Sequence, residues 1–497
     1  MELWKNIPIV LILLPLLISP LLAALKSKYS KILMPAAAFV CCVLSAALLV
    51  FCAKSGNAYT ISMGEIGAPF GNELYISTTE AAVSLLFNLI VLLSVLAGMN
   101  GIKNEIHLNR QNLFFTVSSL LLTAANAEAF TNDLFTGYVF LEILTIAAGA
   151  LIFIRSREGA LFASMRYMLM NLLGSGLFLF GLTIYYCLTG ELLFPQLKEA
   201  AARIFAEGTY VKSMNVSLLM MTLGLGIKSA LYPFHTWLPN AYSGATPAAS
   251  SMLSSVVCKA YIFLLIKLIA RGVGIEVYTA SGAGNIILVY SAIAIILGSI
   301  DAIREHNVRR MVSYSSVAQI GYIFMAASLG SRFALSAAVF HILAHSAAKA
   351  MLFPAVDRLT SVSGGNENFR DLRGSGFRAP LSGLAFTVGA FSITGIPFLG
   401  GFTSKLFIAS AAVDVGSYKL CIVLLALAVS TVLNVVYFLR TVVTLYRRGE
   451  NYPLTADKKL YPLLGVALVC FIAINLALGV LSSDIMALID GGIQLWV

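Results

Sequence analysis

Charge is what this sequence has least of: 11% of its 497 residues are Asp, Glu, Lys or Arg, while 59% are hydrophobic. Soluble proteins carry roughly a quarter charged residues, and an aqueous exterior cannot be built from so few. No stretch between the apolar runs is long enough for a separate soluble domain. Paired cysteines are missing too. Cys41, Cys42, Cys52, Cys187, Cys258, Cys421 and Cys470 form no Cys-x-x-Cys unit and nearly all fall inside apolar runs. They read as small hydrophobes, which argues against a disulfide framework, a structural zinc or an iron–sulfur cluster in this chain. No Gly-x-Gly-x-x-Gly unit follows a strand, and Gly226-Ile227-Lys228-Ser229 lacks the glycine spacing of a phosphate loop. No cofactor, metal or nucleotide is therefore expected. The net charge of +10 is spread singly or in small clusters between apolar runs, with no basic domain to hold nucleic acid.

What is there is length. Apolar stretches of about 20 residues, enough to cross a hydrocarbon core, recur along the whole chain. Inside lipid the backbone must satisfy itself, and runs this long and uniform do so as helices rather than barrel strands. The chain thus reads as an all-α integral membrane protein, a single transmembrane domain over 1–497. About fourteen spans are expected, near 7–25, 32–53, 80–99, 112–130, 134–154, 162–189, 214–233, 247–270, 280–301, 308–329, 333–356, 380–413 (interrupted), 418–445 and 460–482. Lys5 precedes the first run, whose length and prolines Pro15 and Pro20 favour a retained helix over a cleaved leader. Lys26, Lys28, Lys31, Lys103, Arg110, Arg155, Arg157, Arg304, Arg309, Arg310, Arg358, Arg370, Arg373, Arg378, Arg447, Arg448, Lys458 and Lys459 share one set of alternate loops. That richer side should face the cytoplasm, which puts both termini outside it.

Two spans are interrupted. The seventh, LGLGIKSALYPFHTW, sets Gly224, Gly226 and Pro233 around Lys228; the twelfth, SITGIPFLGGFTSKLF, sets Gly395, Pro397, Gly400 and Gly401 before Lys405. Proline removes a helical hydrogen bond and glycine loosens the backbone. Two such breaks five spans apart are the pattern of an internal repeat with an ion path at the breaks.

Ionisable groups at membrane depth are costly and are functional candidates by default. Glu142 sits mid-span in GYVFLEILTIAAG, and a carboxylate there needs a cation, for which Lys228 is the natural partner. Lys259 lies in the eighth span. His341, His345 and Lys349 recur at four-residue spacing on one helical face of HILAHSAAKAMLF. The histidine pair also has the i,i+4 spacing of a metal or haem site, but no third ligand accompanies it. Lys267, near a span end, is expected to snorkel to the interface.

These residues lie within segments that resemble the antiporter-like subunits of respiratory complex I, Mrp sodium/proton antiporters and membrane-bound hydrogenases. The likeness is carried by the Glu142 span, 228–265, VRRMVSYSSVAQIGYIF (308–324), HILAHSAAKAMLF (341–353) and TGIPFLGGFTSKLFI (394–408). It implies two inverted five-helix repeats, over 111–271 and 279–446, preceded by N-terminal helices over 1–110 and followed by a C-terminal helix within 447–497. It implies that Glu142 and Lys228 pair in one half-channel, that Lys259 links the halves, that His341 and His345 are central, and that Lys405 ends the second half-channel. Asn240 and Tyr242 depart from the Asp and His common in the family, which puts a proton-entry role of that loop in doubt. Lys405 is unlike the complex I type with glutamate there, and the chain ends too soon after its last span for a long lateral helix. The likeness is best to the Mrp D-type subunit and its hydrogenase counterpart. The implied activity is movement of H+, with or without Na+, beside other membrane subunits in a cell membrane. The alternative is the pumping subunit of a complex I-like NADH or ferredoxin:quinone oxidoreductase. Whether the assembly is an enzyme is open; in this chain no catalytic or redox centre is expected.

Overall fold

A computed structural model describes residues 2–63, 71–155, 159–448 and 461–496. The sequence's apolar runs become helices. They are α1 (Ile7–Ala24), α2 (Ser27–Ser55), α3 (Thr78–Glu105), α4 (Gln111–Phe130), α5 (Leu134–Phe153), α6 (Ala160–Thr189) and α7 (Val211–Lys228). There follow α8 (Pro247–Val273), α9 (Ala283–Arg304), α10 (Val308–Ser328), α11 (Arg332–Ser361), α12 (Pro380–Thr394), α13 (Gly400–Val415), α14 (Ser417–Tyr446) and α15 (Pro462–Val480). Among the described residues, 11 helices are long and apolar enough to cross a membrane. The rest of the expected fourteen, Val211–Lys228, Val308–Ser328 and the α12–α13 pair, fall short of that measure because they are polar or interrupted.

The layering inverts that of a soluble protein. Peripheral helices turn Leu17, Ile32, Phe39, Phe162, Leu172 and Val432 outward, as lipid permits. The two central helices, α8 and α11, are buried along their most apolar windows, and they carry Lys259, His341, His345 and Lys349. Both breaks occur where expected. After Lys228 the chain turns through Ala230 (φ 63°) into short helices Phe234–Trp237 and Leu238–Gly244, and α12 ends at Gly395 (φ 93°) before α13 begins. Carbonyls freed at the first break are taken up locally: Leu231 N donates to Gly226 O and Trp237 Nε1 to Ile227 O.

Three features, a hairpin and two helices, were not expected. Strands β1 (Tyr59–Met63) and β2 (Asn72–Ile76) pair antiparallel, with Tyr59 opposite Ile76. An amphipathic helix, Phe194–Glu207, buries Phe194, Leu197 and Ala201 against the end of α8, and Ser482–Gln494 packs on the start of α3. All three lie at one end of the bundle. At the opposite end the basic loops gather: Arg155 pairs with Glu105 at 2.9 Å, Arg309 with Asp357 at 2.9 Å, and Arg310 with Glu305 at 3.0 Å. Arg157, Lys458 and Lys459 lie outside the described residues.

Candidate functional site

The first break places an ammonium against a carboxylate. Lys228, the last residue of α7, donates to Glu142 Oε1 of α5 at 2.8 Å and to Ser175 Oγ of α6 at 2.7 Å. Ser175 Oγ in turn donates to the same Glu142 oxygen at 2.5 Å, closing a three-membered polar cluster. The approach depends on glycine. Gly174 and Gly224 face each other across the α6–α7 crossing, and a Cβ on Gly174 would come within 2.8 Å of Gly224 O. The pair is asymmetric: the Lys228 side chain is 1% exposed and that of Glu142 28%, so the carboxylate opens on the lateral surface of the bundle.

Inward from Lys228 lies the Tyr261 ring, 5.1 Å from Nζ, its hydroxyl bonded to Thr145 Oγ1 at 2.8 Å and near Tyr167 at 3.3 Å. Among the described residues no side-chain hydrogen bond joins Lys228 to Lys259. Lys259 is fully buried and gives its hydrogen bond to Ser254 O at 2.6 Å, a carbonyl of the π-helical stretch Leu253–Val257. Such local widening frees backbone acceptors and recurs at functional sites.

On α11 the His341 and His345 rings stack at 6.1 Å, and His341 Nδ1 meets Ser404 Oγ of α13 at 2.9 Å. Neither nitrogen of His345 has a hydrogen-bond partner among the described residues. Lys349 donates to Val312 O at 2.5 Å and to Ser315 Oγ, both on α10. Lys405 donates to Ile393 O and Thr394 O, each at 3.0 Å, with its ammonium 5.3 Å over the Tyr322 ring. These two carbonyls belong to the last turn of α12, where an unsatisfied helix end attracts cations. Six of the seven candidate residues are therefore buried in the bundle, and Glu142 stands at its edge, the series running through α8 and α11 to the second break. The hydrogen-bond partners of these amines and imidazoles divide evenly between main-chain carbonyls and side-chain oxygens.

One expectation fails outright. Lys267 does not snorkel: it is 0% exposed and donates to Glu128 O, Ala129 O and Thr131 O at 2.6, 3.2 and 3.0 Å. The helix end it occupies is roofed by protein, so no interface lies within reach. Tyr242 likewise is buried, its hydroxyl 3.1 Å from Cys258 Sγ, while Asn240 accepts from Arg310 at 3.0 Å. The sequence reading missed Ser175, the buried carboxyls Glu80 and Glu128, and His235, whose Nε2 lies 3.5 Å from Asp301. The rule that selected Glu142, an ionisable residue within an apolar run, applies equally to Glu80 and Glu128.

Known proteins resemble this chain in sequence and fold. The chain is 29% identical to the N subunit of the NADH-quinone oxidoreductase of Desulforudis audaxviator, over 90% of this chain and 88% of that one. It is 25% identical to the D subunit of the Na(+)/H(+) antiporter of Bacillus subtilis, covering 85% and 83%. A chain of the membrane-bound sulfane sulfur reductase, an archaeal respiratory membrane complex, superposes with a TM-score of 0.88 at 26% identity, covering 98% and 97%. A chain of the Mrp complex of Dietzia superposes at 0.87 with 21% identity, covering 99% and 97%, a likeness of fold. A family profile described as NADH:quinone oxidoreductase/Mrp antiporter, TM, matches residues 131–433, which include every residue of the row from Glu142 to Lys405. This multi-pass membrane chain belongs to the NADH:quinone oxidoreductase/Mrp antiporter transmembrane family.

Proposed function

We propose that the chain is a proton-translocating, antiporter-like subunit of a multisubunit membrane complex, with Glu142, Lys228, Lys259, His341, His345, Lys349 and Lys405 as its proton-carrying groups. The observation that carries this reading is the Glu142–Lys228 pair at 2.8 Å, closed by Ser175 at a helix break. Burial disfavours a charged lysine and a nearby carboxylate restores it. Opening and closing the pair therefore switches Lys228 between releasing and holding a proton, and the two repeats supply a half-channel each. The exposed part of Glu142 faces sideways at membrane depth, where lipid would be a poor neighbour for a carboxylate. A second membrane protein covering that face is the natural remedy, as the relatives' membership in complexes suggests. The arginine-rich end faces the cytoplasm of a cell membrane and both termini lie opposite.

Two settings fit. An Mrp-type Na+/H+ antiporter needs no electron source; a redox complex would drive the same row from its partner subunits. Relatives of the oxidoreductase N type, at 29% and 31% identity, favour the redox setting over the 25% match to the antiporter D type. Co-purifying proteins decide between them. The test of the shared reading is proton movement in inverted vesicles holding the whole complex. Glu142→Gln and Lys228→Ala should each abolish ion coupling with the complex still assembled, because each leaves a desolvated charge alone. Near-normal coupling in both variants sinks the assignment.

A further inference from the structure

A second group of charges is buried at the hairpin end of the bundle, away from the row. Lys267 and Arg271 stand on the last turns of α8, Glu128 near the end of α4, and Glu80 in the first turn of α3. Glu128 and Lys267 are 0% exposed, Glu80 1% and Arg271 5%.

The hydrogen bonding is lopsided. An ammonium has three donors, and those of Lys267 reach the three carbonyls of Glu128, Ala129 and Thr131. Its nearest carboxylate contact is Glu128 Oε1, at 4.0 Å. Neither Glu128 oxygen accepts a hydrogen bond from any described residue. Glu80 spends Oε2 on the Ser77 helix cap, and its Oε1 has no hydrogen-bond partner among the described residues. A buried ion pair steadies a fold only when its lone pairs are satisfied. Here the hydrogen bonds of the lysine do not involve the Glu128 carboxylate, which keeps only the 4.0 Å contact with Lys267 among the described residues.

A polar chain leads outward. Arg271 Nη2 donates to Asn132 Oδ1 at 2.5 Å, and Asn132 Nδ2 to Glu73 Oε2 at 2.8 Å. Glu73 lies on β2 and is half-buried, at the surface of the hairpin. Inward, Lys259 precedes Lys267 by eight residues on one α-helical stretch, about 12 Å along the axis at 1.5 Å per residue.

We propose that Glu128, 4.0 Å from Lys267, is a further proton-exchange site, reached from the hairpin face, where Glu73, Asn132 and Arg271 line the approach, and leading toward Lys259. The step is one proton transfer: H+ bonds to a Glu128 oxygen on arrival and leaves it on departure, with no other bond and no electron involved. The charged and titratable groups around it are Lys267 and Arg271 from α8 and Glu80 from α3. Tyr75 on the hairpin and Cys52 on α2 face Glu80 in turn, and Lys198 on the amphipathic helix faces Arg271. The inference rests on the row being a proton path, and the experiment separates the two.

The intact complex is reconstituted in proteoliposomes, with pH fixed on the Arg155 side and varied on the hairpin side. Proton movement and the infrared carboxyl stretch are both read. Glu128→Gln and Glu128→Ala should assemble, because removing this carboxyl breaks no hydrogen bond of Lys267. Both should lose most proton movement, its dependence on hairpin-side pH, and one pH-responsive carboxyl band. Glu128→Asp should keep part of all three. Glu142→Gln should keep the band although transport is lost, so failure of the pair and failure of this site give different patterns. A wild-type pH response in either Glu128 variant overturns the proposal. So does a response to Na+ in place of pH, or failure of both variants to assemble, which would assign Glu128 to folding alone.

Discussion

Gly174 and Gly176 stand two residues apart on α6, and the same methyl group should have opposite consequences at each. A Cβ on Gly174 would lie 2.8 Å from Gly224 O, 2.9 Å from Lys228 Cγ and 3.3 Å from Ile227 Cβ. Ordinary contact begins near 3.4 Å, so α7 would have to retreat by about 0.6 Å. Backbone forms the main obstacle, so no side-chain rotation relieves it. The retreat carries Lys228 away from Ser175, now 2.7 Å from its ammonium, and stretches that bond toward the limit of a useful hydrogen bond. Overpacking of this kind costs about 1–3 kcal/mol. Charged to the closed pair, the lower half of that range is about a tenfold shift in its closed population, since about 1.4 kcal/mol is a factor of ten. Gly176 has nothing within 4 Å of its added Cβ. Alanine there meets open space and improves helix propensity. The assay is proton movement in inverted vesicles, normalised to assembled complex. Gly174→Ala should assemble and lose about 90% of the rate, while Gly176→Ala should match wild type. Wild-type transport by Gly174→Ala would show that the α6–α7 closeness does not set the pair, and equal losses in both would show that the effect is not local.

Two further outcomes are expected. Lys405→Leu should eliminate transport, whereas Lys405→Glu should retain part of it with a pH optimum moved toward acid, because a carboxyl facing Ile393 O and Thr394 O must carry a proton to donate to them; a pH–rate profile of each variant checks this, and tolerance of leucine would move the second half-channel to Lys349. In a background without native cysteines, Glu207→Cys and Asn366→Cys, both exposed and at opposite ends of the bundle, should be labelled from opposite sides of the membrane, with 366 reached from the cytoplasm; labelling of both from one side refutes the orientation.

Much of this was legible because membrane depth makes polarity conspicuous. Glu142 and Lys228 stand out against apolar neighbours, and glycine and proline around Lys228 and Lys405 mark where helices stop, as the turns at Ala230 and Gly395 show. The failures have a common physical source. Lys267 was placed by distance from a span end, a rule that assumes a helix ending in headgroups. Here Phe194–Glu207 and the segment after α15 roof that end, and their contacts with α3 and α8 are long-range facts no local pattern carries. The hairpin was hidden for a related reason, since Tyr59–Met63 offers only five residues to be read and pairs with Asn72–Ile76, equally short. The polar character of α10, from Arg309 to Gln319, belongs to a buried helix that lines the row, so hydropathy alone underrates it.

Four of the buried ammoniums, those of Lys259, Lys267, Lys349 and Lys405, are bound by main-chain oxygens. Ligands of that kind belong to the shape of the chain and not to its spelling. No substitution can delete the carbonyl of Ile393 or Ser254; it can only be redirected by reshaping a helix end or a widened turn. The sequence around such a lysine is therefore free to drift so long as the breaks persist, and a scan that replaces neighbouring side chains one by one would pass over the groups that solvate the charge. What holds these charges in place is where the helices stop.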